Sequence, residues 1–153
     1  MRKIVLFLAV ALLCVSCGKR VLLDETHQFD NDTWLRFEPE MFNVKVSNTD
    51  NGYVITATLK YDTMRLSGDV LPLLVDFYID STELHNFTPE MRLFDAKGFR
   101  RGTTIGQYCT VTDTLDRYRV YNKMGNYTYR IKHRTSKYEI HGVTSLGLKI
   151  EKF

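Results

Sequence analysis

The chain has 153 residues, of which 44% are hydrophobic and 25% charged, with 21 Lys and Arg against 18 Asp and Glu. Basic and acidic residues interleave with no cationic block, repeat or low-complexity tract, which excludes the footprint of a nucleic-acid binder and argues against a solenoid or a disordered tail. Three cysteines, Cys14, Cys17 and Cys109, are too few and too unevenly placed for a disulfide framework.

The first element is a leader. Met1-Arg2-Lys3 is a short basic start, Ile4 to Leu13 is an unbroken apolar run, and the small-residue stretch Cys14-Val15-Ser16-Cys17 follows, which is the order of a secretory signal. The run is too short to span a bilayer as a helix, which takes about 20 residues. A redox pair at Cys14 and Cys17 would need a folded setting that lowers one thiol's pKa, and a signal segment supplies none. Val15-Ser16-Cys17 is similar to a bacterial lipobox, with Cys14 where such motifs usually carry leucine. Cys17 is therefore expected to become the N-terminus and to carry diacylglycerol and an amide-linked chain such as palmitate. At about 0.8 kcal/mol per buried methylene, two or more chains hold a protein on a membrane without spanning it. Arg2 and Lys3 leave with the signal and no acidic residue does, so the mature chain carries 19 basic against 18 acidic side chains. Only Cys109 stays free, and in TTIGQYCTV it reads as a buried strand residue.

Residues 17–40 read as a lipid-anchored tether and entry segment of up to 20-odd residues, and residues 41–153 as one β-sandwich domain. In YVITATLKY, Tyr53, Ile55, Ala57, Leu59 and Tyr61 share one face. FNVKVSN precedes it, and Asn51-Gly52 between them suggests a hairpin. VLPLLVDFYID alternates again, with Pro72 marking a strand start or edge and Asp76 and Asp80 on its solvated side. Met91 to Phe94 suggests a short strand, followed by a turn at Ala96-Lys97-Gly98. TIGQYCTV, DRYRVYN and YTYRIKH then read as separate strands. GVTSLGLKIEKF places Leu146, Leu148 and Ile150 inward, with Val143 out of phase at a bulge. Six or more strands without a helix predict an all-β antiparallel sandwich, jelly-roll or immunoglobulin-like.

Candidate chemistry is sparse. His133, Glu139 and His141 could approach one another across a hairpin as metal ligands, or the histidines could simply face solvent near a turn. Asp30-Asn31-Asp32 lacks the glycine and distal Glu of a calcium loop. The pairs Glu38/Glu40, Asp76/Asp80 and Asp113/Asp116 have no evident shared cleft, and Gly-x-Ser-x-Gly is missing. No catalytic residue, metal or cofactor is expected. Phe99, Arg100 and Arg101, with Arg117, Tyr118, Arg119 and Tyr121, are the segments expected to form an exposed contact surface.

VLLDE with Trp34 downstream, the strand GNYTYRIKH and above all the ending IHGVTSLGLKIEK resemble the gliding-motility-associated lipoproteins of the GldH family. The resemblance implies a non-enzymatic Bacteroidetes envelope lipoprotein, one of several proteins that gliding relatives require for motility and type IX secretion. Expected partners are the membrane, through the anchor, and envelope proteins. A small carbohydrate- or peptide-binding module is the alternative. Gly18 in place of a retaining aspartate, and Lys19-Arg20 in place of an acidic export run, point to the outer membrane, facing the periplasm.

Overall fold

The computed structural model describes residues 21–153, and the expected signal segment and lipid attachment at Cys17 lie outside them. Twelve strands follow in chain order: β1 (Val21–Gln28), β2 (Thr33–Leu35), β3 (Glu40–Val46), β4 (Gly52–Asp62), β5 (Val70–Ile79), β6 (Thr82–Phe87), β7 (Glu90–Arg92), β8 (Thr103–Ile105), β9 (Tyr108–Val120), β10 (Gly125–His133), β11 (Glu139–His141) and β12 (Val143–Lys152). One sheet has the order β1-β12-β4-β9-β8; the other has β3-β10-β5-β6, with β7 also on β5; β2 and β11 form a small ladder. These strands pair antiparallel throughout. The expected antiparallel all-β sandwich is what the chain forms.

Alternation does most of the work. Tyr53, Ile55, Ala57, Leu59 and Tyr61 of β4 face Leu71, Leu73, Val75 and Phe77 of β5 across the core, joined by Tyr127, Tyr129 and Ile131 of β10 and by Leu146, Leu148 and Ile150 of β12. Cys109 lies inside this core, its thiol donating to the Arg101 carbonyl at 3.2 Å. The register slip between Val143 and Ser145 is the expected bulge, and it turns Val143 inward as well.

Four expectations change. FNVKVSN and YVITATLKY are not a hairpin: β3 pairs with β10 and β4 with β9 and β12, so residues 47–51 cross from one sheet to the other. Gly52 makes no positive-φ turn. Its missing side chain leaves room for the Phe153 ring, which a Cβ would meet at 2.4 Å. Within the expected tether and entry segment of residues 17–40, Val21–Gln28 is an edge strand on β12 and the buried Trp34 belongs to the core. Asp76 is buried, not solvated: the Arg130 side chain lies over it, donating from Nε and Nη2 at 3.0 and 2.7 Å, with Lys132 at 3.6 Å. Finally, TIGQYCTV and DRYRVYN are not two strands. A tight turn between β8 and β9 splits the first, and YCTV runs on into RYRV as one 13-residue strand. Residues 82–87 pair with β5 through a two-residue turn in which Asp80 and Ser81 both take positive φ.

Candidate functional site

The registers fix which residues share an end. Tyr53 lies opposite Arg119, and Tyr61 lies opposite Cys109, the neighbourhood where Arg100 and Arg101 sit. Along β4 these levels are eight residues apart, about 26 Å at ~3.3 Å per residue. The seven residues expected to form a contact surface therefore divide between opposite ends.

At the first end, β9 carries two extra residues relative to β4, giving register slips on either side of Ile55. Beyond Val111 its inner face carries charge beside the partly buried Leu115: Asp113, Asp116 and Arg119 lie opposite the inward-facing Ala57, Ile55 and Tyr53. These side chains emerge at the sheet edge, where Arg119 pairs with Asp116 at 2.6 Å and spreads over the rings of Phe77 and Phe87 at 5.0 and 5.8 Å. Its Nε is buried without a hydrogen-bond partner. Arg117 and Tyr118 point to solvent, and Tyr118 packs on Phe153 with ring centroids 4.9 Å apart.

Tyr121 does not belong to an exposed surface. It is 1% exposed, and its hydroxyl lies 2.7 Å from that of Tyr129. Burial pushes the Tyr121 hydroxyl up to about 12 and holds Tyr129 well above the ordinary phenol value, so both stay neutral. The change of direction from exposed Tyr118 to buried Tyr121 comes from the chain leaving β9 to cross towards β10.

Beside Tyr121 lies a cavity of about 300 Å³, lined by Phe77, Ile79, Tyr121 and Tyr127, with Arg119, Lys123 and His85 also contributing. Phe77 and Tyr127 stack at 5.2 Å, and the Tyr127 hydroxyl donates to the Lys123 carbonyl. The lining has aromatic faces and cationic side chains but no carboxylate or nucleophile–base pair, which suits stacking and anion contact.

At the opposite end, Phe99 is 68% exposed at the tip of a turn closed by Asp95, whose carboxylate accepts from the backbone N–H groups of Lys97 and Phe99. Arg100 turns inward instead, donating to the Tyr61 hydroxyl and lying 4.7 Å from the Phe94 ring centroid. Arg101 is tied to Asp113, which holds its guanidinium above the usual arginine range. Only Phe99 of this trio offers its side chain freely. Met64 and Ile105 are also exposed at this end, which alternation could not reveal, on turns linked to each other by the Thr63 N–H to the Gln107 carbonyl.

The three residues weighed as metal ligands do not converge. His141 meets Glu139 at 3.2 Å and Thr33 at 3.0 Å on the surface, whereas His133 is buried edge-on to Trp34. His133 is thus not a solvent-facing histidine. Burial pushes it below its ordinary value, and Arg36 adds to this. Among the described residues no group of three His, Cys, Asp or Glu is placed to hold a metal ion. His27, which from sequence reads as a weak candidate in a loop-like stretch, lies in β1 between Glu40 at 2.6 Å and Glu25 at 2.9 Å and stacks on Phe42. Burial lowers its pKa, but the two carboxylates outweigh that and hold it above its ordinary value.

No curated protein matches the chain. Among solved structures it is similar to the insecticidal delta-endotoxin Cry8Ea1 of Bacillus thuringiensis, at 12% identity and a TM-score of 0.35 over 76% of this chain and 19% of that one. It is also similar to the Eiger TNF of S. frugiperda, at 11% identity and 0.33 over 86% of each chain. The model of the GldH lipoprotein family matches residues 21–150, and the chain belongs to that family.

Proposed function

We propose that this protein is a non-enzymatic structural or assembly component of the cell envelope, held through lipid on Cys17 and contacting a protein partner with the end of the sandwich that carries Phe99. Gliding motility or type IX secretion is the setting, at the outer membrane facing the periplasm. The observation that carries the reading is that Met64, Phe99 and Ile105 are 85%, 68% and 78% exposed on turns at the end of the sandwich away from the start of β1. Large apolar groups held in water on well-formed turns fit a contact patch better than a folding role. Tethering raises the local concentration of such a patch towards membrane partners, so weak contacts suffice.

The test is photo-crosslinking in living cells with the reactive group at position 99 or 105, against position 24 on the β1 edge, in chains with and without Cys17→Ala. Adducts with envelope motility or secretion proteins from 99 and 105, dependent on Cys17, support the reading. Adducts independent of Cys17, or stronger from position 24, refute it. A second reading, a small carbohydrate- or peptide-binding module, is favoured by the aromatic cavity beside Tyr121. Saturable glycan or peptide binding that Tyr127→Ala abolishes would move the function there.

A further inference from the structure

We infer that the end of the sandwich nearest Cys17 seats directly on the phospholipid surface that holds the anchor. The inference rests on the reading of Cys17 as the lipidated residue. Only Gly18-Lys19-Arg20 separates Cys17 from Val21, the first residue of β1. Four residue steps span at most about 14 Å even fully extended. The domain cannot stand clear of the membrane on so short a connection.

Val21 lies opposite Glu151, Glu151 opposite Val54, and Tyr53 opposite both Lys152 and Arg119. The start of β1 is thus level with the turns at 47–51, 80–81 and 121–124. This end exposes Val21, Tyr118, Val120, Met124 and Phe153. Around them stand the exposed cations Arg117, Lys123 and Lys152, with Lys19 and Arg20 in the connection itself. Asp50 and Asp80 are exposed carboxylates at the same level, while Asp116 is paired to Arg119 and Glu151 to Lys149. The balance is cationic, and Tyr and Phe beside Arg and Lys suit a headgroup layer, where amphipathic rings and basic tips both find partners.

The alternative posture, lying on the β1 flank, meets the wrong charge. Asp24 is exposed along that strand, Glu25 and Glu40 share the single imidazole of His27, and Glu38 borders the neighbouring hollow of about 450 Å³, so the flank stays net anionic. Anionic headgroups repel that flank and attract the end. An upright posture carries Phe99, Ile105 and Met64 to the far end, about 33 Å away along the 11 residues of β4.

The test uses the lipidated mature protein in vesicles of phosphatidylethanolamine containing phosphatidylglycerol, with a fluorophore on a single new cysteine at Asn122→Cys, Asp24→Cys or Ile105→Cys and a headgroup-nitroxide lipid as quencher. Quenching at 122 alone is expected. The triple variant Arg117→Gln, Lys123→Gln and Lys152→Gln should lower the seated-to-unseated ratio on the order of a hundredfold, about fivefold per cation. Vesicle-bound protein quenched at 24, or at none of the three sites, overturns the seating and leaves the anchor intact. Unchanged quenching in the triple variant overturns the electrostatic part. Wild type that sediments with vesicles no better than Cys17→Ala overturns the anchor, and the seating with it.

Discussion

Gly142, in the stretch IHGVTSLGLKIEK, offers a sharp test of how this sandwich is closed. Its φ is +87°, and a Cβ there would meet the Arg65 Cβ at 2.7 Å and the Leu66 backbone nitrogen at 2.8 Å. It is also held on both sides: its N–H donates to the Asp32 carbonyl and its carbonyl accepts from Asp62, each at 2.7 Å. Gly142→Ala forces a left-handed conformation costing about 1–2 kcal/mol on an L-residue. It also drives a methyl group into backbone that cannot rotate away, adding about 1–3 kcal/mol as in other overpacked sites. The sum, about 2–5 kcal/mol, is a large part of the 5–15 kcal/mol typical of a domain. For a domain of this size it lowers the melting temperature by roughly 10–20 °C. Gly147→Ala is the internal control. No positive φ is involved there, and the nearest atom to its Cβ is the Thr26 hydroxyl at 2.8 Å, on the edge strand β1. Its cost should be about 1 kcal/mol, partly offset by the entropy a glycine loses on folding. Thermal unfolding followed by circular dichroism separates the two. Equal melting temperatures for the variants, or Gly142→Ala within a few degrees of wild type, would refute the backbone-clash argument.

Two further predictions concern the core and its pH response. Tyr129→Phe leaves the Tyr121 hydroxyl buried without its partner, and should lower stability by about 1–3 kcal/mol, read as a reduced urea midpoint at unchanged m-value. The two histidines act oppositely. His27, raised above 6.5 by Glu25 and Glu40, adds stability that is full below 6.5 and lost as pH rises through its folded value; the excess of wild type over His27→Gln in urea melts should therefore shrink on going from pH 5.5 to 8. His133, lowered by burial, keeps its contribution above 6.5 and loses it as pH falls through its folded value. His133→Phe should therefore gain on wild type as the solution is acidified, whatever their difference at pH 8, and the same melts measure this.

Strong alternation made β4, β5, β10 and β12 readable, because strands buried on one face repeat every second residue. The interior role of Cys109 and the bulge at Val143 followed from the same period. Alternation does not say which sheet a strand joins, so β3 and β4 looked like a hairpin across Asn51-Gly52, although each turns its apolar face to a common core from opposite sheets. The edge strand β1 was missed because its sequence shows the core little: Leu22 and Leu23 are only partly covered, and Asp24, Glu25 and Thr26 face water. Burial of Asp76 was unreadable, since Arg130 reaches it from a distant part of the chain, whereas His133 is in phase with the inward-facing Tyr127, Tyr129 and Ile131 of β10 and only its cover by Trp34 comes from the fold.

Residue order alone determined the basic, apolar and small-residue pattern that reads as a leader before Cys17, the strand-rich class and the family. These are local patterns, carried by neighbours in the chain. Tertiary structure decided the rest: that Arg119 and Phe99 stand at opposite ends, that Tyr121 is core and Tyr118 is surface, and that the start of β1 shares its level with Phe153 and Lys123. Each of these depends on the register between strands far apart in sequence, which is set when two sheets bury their faces together.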